Sequence, residues 1–324
     1  MRVLVTGGSG FVGSHVVERL LDAGHAVRVL VRRASDTAAL RARGVELAVG
    51  ELQDPASLRR AADGAEWVIH CAAKLAGHSE HELLAVNVDG TRNLAQACAA
   101  AKSVRRFVHV SSLAAGGPST ALAPLDEDRP ARPLTWYGRS KLASEHVLAD
   151  FAALRPVIVR PPIVYGPRER ELLRLFRSAR RGVLPVVGSG RKLYSLVFVA
   201  DLVDALLRAA ASEAVASRVY YAGAPEPVSW EGFCRAVAAA VGRRAVLLRL
   251  PEALGVGLAR ANGALARLRG RTTLLDGQKA LEMRQPAWTC DSSRARRELG
   301  WTAGTPLADG LAATAGWYRE QGWI

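Results

Sequence analysis

Tyr137 and Lys141 stand four residues apart in the run Tyr137-Gly138-Arg139-Ser140-Lys141. On a helix that spacing puts both side chains on one face. A phenol beside an ammonium is a proton-transfer pair, because the positive charge stabilises phenolate and lowers the tyrosine pKa. Such a tyrosine can exchange a proton with an alcohol or ketone oxygen. The lysine is a specific choice, since only five of the 44 basic residues are Lys. An ammonium is compact enough to lie under a ribose and close to a phenol, whereas a guanidinium is a wide planar fork. Ser111 and Ser112 follow the apolar run 107–110. The Ser112 hydroxyl is placed to bind the reacting oxygen beside Tyr137, with Ser111 bracing the loop.

A second constellation opens the chain. Thr6-Gly7-Gly8-Ser9-Gly10-Phe11-Val12-Gly13 joins the β-rich run 2–6 to an apolar helical pattern over 12–23. Gly7 permits the tight turn, Gly10 lets the backbone approach a pyrophosphate, and Gly13 lets helix and sheet pack closely. The helix start offers unpaired N–H groups and a favourable field to an anion. Where a nicotinamide site reads a free ribose 2′-hydroxyl, the second strand ends in an acid. Here that strand, 26–31, ends at Val31 and is followed by Arg32 and Arg33. Guanidinium groups fit a 2′-phosphate. NADP(H) is therefore favoured over NAD(H), mainly through Arg32.

The elements that must carry these residues alternate. Strands are expected over 2–6, 26–31, 45–49, 67–71, 106–110 and 156–159, and helices over 12–23, 38–43, 58–62, 87–101 and 136–151. The alternation predicts an α/β fold: a Rossmann doubly wound parallel sheet covered on both faces, with ligands at the C-terminal strand ends. Beyond Pro161-Pro162 the regularity weakens, with helices expected over 171–181, 200–210 and 230–241 and a terminal helix led by Pro306. Strands are expected over 185–187, 196–199, 218–221 and 245–248. We expect a dinucleotide-binding domain over 1–165 that holds the catalytic residues. A smaller, mainly substrate-binding lobe over 166–324 is expected to send some elements back to it.

Composition narrows the function classes. The net charge is +14, but it is spread as scattered Arg, with no nucleic-acid recognition motif or basic tail. Nucleic-acid binding is not expected, although the charge helps attract a phosphate-bearing cofactor. The segment 247–268 is apolar, yet Arg249, Glu252, Arg260 and Arg267 interrupt it. It reads as an amphipathic helix at a substrate mouth or a surface, and no membrane span is expected. Cys71, Cys98, Cys234 and Cys290 fit neither a disulfide scaffold nor a zinc site. Free thiols, no metal and a cytoplasmic protein are expected, with no signal peptide ahead of a strand that begins at residue 2. His70 and His109 read as packed strand histidines, while His78 and His81 fall in a polar loop near the substrate.

With these residues in order, the chain resembles the extended short-chain dehydrogenase/reductase family, of the NAD-dependent epimerase/dehydratase type, over almost its full length. The glycine loop 6–13, Ser112 and the Tyr137/Lys141 pair match that family's motifs. Arg160-Pro161-Pro162-Ile163-Val164-Tyr165-Gly166-Pro167 resembles its post-strand motif, which implies nicotinamide contacts at Pro161 and Ile163. Val199-Ala200-Asp201-Leu202-Val203 resembles its later helix start. The resemblance also implies that Asn87 braces the central strands. It places Ala72, Ala73 and Lys74 along the pyrophosphate and ribose, and Glu51 and Leu52 at the adenine. Glu51 departs from the family's usual Asp.

Two branches are most similar. Val31-Arg32 resembles the dihydroflavonol reductase and 3β-hydroxysteroid dehydrogenase branch; the other holds the nucleotide-sugar epimerases and dehydratases. Leu113-Ala114-Ala115-Gly116 after the serine holds no acid, which argues against dehydration and fits a less polar substrate. Leu254, Val256, Leu258 and Leu265 are candidates for its exit, with core packing the first expectation for most of them. The implied function is hydride transfer between nicotinamide and a ketone or secondary alcohol. The alternatives are a nucleotide-sugar 4-epimerase and a non-catalytic NAD(P)-binding protein. The resemblance implies a homodimer through the helices at 87–101 and 136–151.

Overall fold

The computed structural model describes residues 1–215 and 218–324. The chain begins β1 (Arg2–Thr6), α1 (Phe11–Asp22), β2 (Ala26–Val31), α2 (Ala38–Ala42), β3 (Glu46–Val49), α3 (Pro55–Ala62) and β4 (Trp67–His70). It continues through α4 (Glu80–Leu84), a π-helical turn (Ala85–Asp89), α5 (Gly90–Ala101), β5 (Arg106–Val110) and the single turn α6 (Leu113–Gly116). Next come α7 (Trp136–Val147), a 3-10 extension (Leu148–Leu154) and β6 (Pro156–Arg160).

The second half opens with β7 (Ile163–Tyr165), α8 (Leu173–Arg180), β8 (Val183–Val187), β9 (Leu193–Tyr194), β10 (Leu196–Phe198), α9 (Val199–Ala211) and β11 (Arg218–Tyr221). It closes with β12 (Val228–Ser229), α10 (Trp230–Ala240), β13 (Val246–Leu250), α11 (Glu252–Leu268), α12 (Gly277–Met283), β14 (Ala287–Trp288), α13 (Ser293–Leu299) and α14 (Leu307–Glu320).

Seven strands form one parallel sheet in the order β11-β6-β5-β4-β1-β2-β3. The order reverses between β1 and β4, so a crevice opens beyond their carboxyl ends. Side chains alternate across each strand. In β1, Val3 and Val5 pack with Val16, Leu20, Leu202 and Leu206 of α1 and α9. Leu4 packs on the other face with Leu58, Leu94 and Cys98 of α3 and α5. Both faces are covered, which is why the strand reads as a continuous apolar run.

Several boundaries differ from the sequence reading. The helix expected over 87–101 begins as a π turn, because the Thr91 hydroxyl donates to the Asn87 carbonyl at 2.6 Å and competes with the backbone ladder. The helix expected over 136–151 becomes 3-10 after Val147, with Phe151 at non-helical φ/ψ. His81 lies in α4 rather than in a loop. Leu254, Leu258 and Leu265 are exposed rather than packed in a core, because α11 buries its small face of Gly255, Ala259 and Gly263 instead.

Candidate active site

The glycine loop is built around two close approaches. Gly7 has φ +72°, and a Cβ there would lie 2.8 Å from the Ala72 amide nitrogen. The turns after β1 and β4 therefore meet at the sheet crevice. A Cβ at Gly13 would lie 2.2 Å from the Gly7 carbonyl oxygen. The N-cap of α1 is Gly10, which brings no side-chain cap. The N–H groups of the first turn, at Phe11, Val12 and Gly13, are thus left to an external acceptor. These features fit a dinucleotide pyrophosphate.

Asn87 ties this crevice to the helix that carries Tyr137. Its Oδ1 accepts from the Lys74 backbone N–H at 2.7 Å, and its Nδ2 donates to the Lys74 carbonyl and the Ser140 hydroxyl, both at 2.9 Å. The Lys74 ammonium pairs with Glu82 at 2.6 Å. Leu52 is buried, Glu51 is exposed, and a Cβ at Gly90 would meet the Leu52 Cβ at 2.9 Å. The Pro161 carbonyl accepts from the Leu113 N–H at 2.8 Å, and Ile163 opens β7. Arg32 and Arg33 are exposed after β2.

Ser112 and Tyr137 come together through a glycine. A Cβ at Gly138 would lie 2.3 Å from the Ala114 carbonyl oxygen, so only glycine lets α7 approach the α6 turn so closely. Thr135 caps α7 by accepting from Gly138 N–H at 3.1 Å. The Ser112 oxygen accepts from Ala114 N–H at 3.1 Å, which leaves its hydroxyl hydrogen free. Burial pushes the Tyr137 phenol up to about 12, opposed by a hydrogen bond from Ser112. Lys141 is 1% exposed, and its ammonium donates to the Val110 carbonyl at 2.7 Å. Ser112 thus partly offsets the effect of burial on the phenol. A side chain four residues on shares the helix face, but Lys141 is turned inward onto β5.

Behind Lys141 the two strand histidines stack at 5.2 Å. His70 Nδ1 and Nε2 face the Thr6 and Thr91 hydroxyls at 2.6 and 3.0 Å, and His109 Nε2 faces the Ser144 hydroxyl at 2.9 Å. Burial, reinforced by the Lys141 charge, lowers the His70 pKa to about 3 and that of His109 well below its usual value. Both are neutral packing groups at neutral pH.

Lys141 yields a prediction with a defined sign. Burial lowers its pKa from 10.5 to about 8. Between those values the unfolded chain binds more protons, so this group's stability is complete above the unfolded value and is lost as pH falls through about 8. The buried charge then costs roughly 3 kcal/mol at neutral pH. Lys141→Met should melt at a higher temperature than wild type near pH 7, with most of the gap gone near pH 10. Melting curves that show no stabilisation near pH 7 would count against it.

The roles of four contributors were not legible in the sequence. Glu145 of α7 and Arg160 of β6 form a buried bidentate pair, and Ser111 donates to the same carboxylate. From α12, Gln278 Oε1 accepts from Trp136 N–H at 2.9 Å, and the Glu282 charge raises the Tyr137 pKa further. These partners are far apart in sequence and carry no spacing signal. A cleft beside them is lined by His78, Trp136, Arg267, Arg271 and Thr273, and His81 is not among its lining residues.

Comparison with known proteins agrees with this architecture. The family model described as "NAD dependent epimerase/dehydratase family" matches residues 3–223. A ceramide reductase of Caulobacter vibrioides is 33% identical, covering 99% of this chain and 96% of that protein. A 2-alkyl-3-oxoalkanoate reductase of Stenotrophomonas maltophilia is 30% identical over 96% of this chain and 97% of the relative. The solved structure of MoeE5 in complex with UDP-glucose and NAD superposes with a TM-score of 0.79 at 30% identity, covering 99% of both chains. The seven-stranded parallel sheet, the glycine loop at its crevice and these full-length similarities show that the chain belongs to the NAD-dependent epimerase/dehydratase family, among the extended short-chain dehydrogenases/reductases.

Proposed function

We propose that the protein reduces a bulky, apolar ketone to a secondary alcohol, with NADP(H) as its preferred cofactor and Ser112, Tyr137 and Lys141 as its catalytic residues. The observation that carries this reading is the close approach at Gly138, which brings the start of α7 with Tyr137 against the α6 turn that Ser112 caps, beside the crevice that the glycine loop opens. A bound nicotinamide dinucleotide supplies the hydride. The first turn of α1 holds its pyrophosphate, with Ala72, Ala73 and Lys74 alongside. Arg32 meets the 2′-phosphate, and Glu51 with Leu52 flanks the adenine. Pro161 and Ile163 would meet the nicotinamide, and the Lys141 ammonium, held here on the Val110 carbonyl, would turn outward to reach the ribose hydroxyls.

Ser112 binds the carbonyl oxygen and Tyr137 protonates it. The Tyr137 phenol is protonated at neutral pH and gives up that proton as charge develops on the substrate oxygen. The apolar α6 turn after Ser112 favours an apolar substrate, and two relatives are reductases of apolar-chain compounds. The substrate lobe is 166–324, with β11 lying in the main sheet. We also propose a homodimer through α5 and α7, and a cytoplasmic setting in which the four cysteines stay as thiols.

The cleft with Arg267 and Arg271 favours a second reading, a nucleotide-sugar 4-epimerase, because two guanidiniums suit a diphosphate. One experiment separates the two. Consumption of NADPH with a 2-alkyl-3-oxoalkanoate supports the reductase. Purified protein that carries stoichiometric NAD and isomerises UDP-glucose without added cofactor overturns it.

Cofactor choice is tested at Arg32. A charge-assisted phosphate contact is worth roughly 1.5–3 kcal/mol, or about 10- to 150-fold in affinity. Arg32→Ala should weaken NADPH by that factor and leave NADH little changed, as read by titrating both. An unchanged ratio of the two dissociation constants removes Arg32 from the phosphate, and a wild-type preference for NADH refutes the cofactor choice.

A further inference from the structure

Thirteen large hydrophobic side chains are exposed among the described residues, and nine of them lie between Val183 and Leu281. Helix α11 holds four: Leu254, Leu258, Leu265 and Leu268, exposed by 49%, 53%, 46% and 85%. At about 100° per residue they share one stripe roughly 80° wide. The buried face of the helix is small. A Cβ at Gly255 would lie 2.5 Å from Val187 Cγ1, and one at Gly263 would lie 2.8 Å from Asp276 Cβ. The helix therefore lies flat on the lobe with its leucines outward.

The apolar surface extends onto the neighbouring sheet. β8 and β13 pair in parallel, with Val183 opposite Val246, Pro185 opposite Leu248 and Val187 opposite Leu250. Residues two apart share a face. α11 packs over the Val187 row, and the rows of Val183 and Pro185 stay exposed. A contiguous apolar surface of this kind marks an interaction site, whereas scattered exposed leucines do not.

Charge indicates what covers it. From 243 to 284 the chain has nine basic residues and three acidic ones. Each acid is engaged: Glu252 with Lys192, Glu282 with Lys279, and Asp276 as the cap of α12. Arg243, Arg244, Arg260 and Arg269 are exposed around the leucine stripe and the β13 edge. A second copy of this chain would bring the same positive face and a net charge of +14 against it. Anionic lipid phosphates complement it. No described helix is long and apolar enough to cross a membrane. An amphipathic helix with an arginine flank lies in the plane of the interface instead.

We propose that the outer face of α11, with the adjoining β8–β13 sheet, docks this protein on an anionic lipid surface. The leucines enter the acyl boundary and the arginines meet the phosphates. The C-terminal half of α11 lines the cleft that includes Trp136, next to Tyr137, so docking turns the mouth of the site toward lipid. The proposal rests on this surface and stands apart from the identity of the substrate.

The test is flotation with vesicles of phosphatidylcholine containing phosphatidylglycerol, against phosphatidylcholine alone. Wild type should float with the anionic vesicles at low salt, and the binding should weaken as salt is added. Leu258→Glu combined with Leu265→Glu should weaken partitioning at least tenfold by removing about two buried leucines' worth of apolar surface. Arg260→Gln and Arg269→Gln should each weaken it about fivefold. Thermal melting checks that these surface variants remain folded. Wild type that does not float overturns the proposal, as does flotation that the leucine variant leaves unchanged. Self-association abolished by the leucine variant, without flotation, assigns the face to a second copy and equally overturns it.

Discussion

Tyr137→Phe is expected to lower kcat by roughly 100- to 10,000-fold, the range for losing a positioned general acid, with NADPH affinity little changed. The substitution deletes one oxygen and leaves the ring in place. The start of α7 keeps its Thr135 cap and its Gln278 contact, so the helix is not disturbed. The lost oxygen is the one that burial holds protonated. The loss belongs in kcat, because the proton moves only as charge develops on the substrate oxygen. Ser112→Ala should also lower turnover. The double variant should be little worse than Tyr137→Phe alone, because groups that act as a unit are not additive. Steady-state kinetics on any ketone that wild type reduces checks this, and turnover within tenfold of wild type would remove Tyr137 from the chemistry.

Arg160→Met is expected to cost about 3–5 kcal/mol of stability by leaving the buried Glu145 carboxylate without its counter-charge. The pair is buried on both sides, with side chains 7% and 3% exposed. Arg160 Nε donates to Glu145 Oε1 at 2.9 Å and Nη2 to Oε2 at 2.6 Å, while Nη1 donates to the Tyr221 hydroxyl at 3.1 Å. Burial opposes the charge on Arg160, but the hydrogen bonds and charge of Glu145 outweigh it and hold the pKa above its ordinary value. The ends of β5, β6 and β11 are thereby tied to the helix that carries Tyr137. A fall in Tm on the order of 10 °C is expected. Arg160→Lys should recover only part of it, since an ammonium cannot make the bidentate contact. Arg160→Met combined with Glu145→Leu should recover more, because no buried charge remains. An Arg160→Met protein that melts close to wild type would show the pair to be dispensable.

By itself the sequence determined the alternation of strands and helices, hence the parallel sheet, and the glycine loop at its first turn. These are local signals: period, turn chemistry and spacing act within a few residues of one another. The helix that carries Tyr137 and Lys141 was legible for the same reason, and so were the packed histidines at 70 and 109, each inside an apolar strand. Only the tertiary structure decided which groups meet. Asn87 reaches Lys74 and Ser140, Gln278 reaches Trp136, and Glu145 reaches Arg160 and Ser111 through folding of distant segments. It also decided that Lys141 turns inward to Val110, because a shared helix face does not set where a long side chain ends. The outward leucines of α11 were settled the same way. Hydrophobicity marked them for the core, but Gly255, Ala259 and Gly263 permit the closer approach, so packing distance placed the small face inward and left the leucines outside.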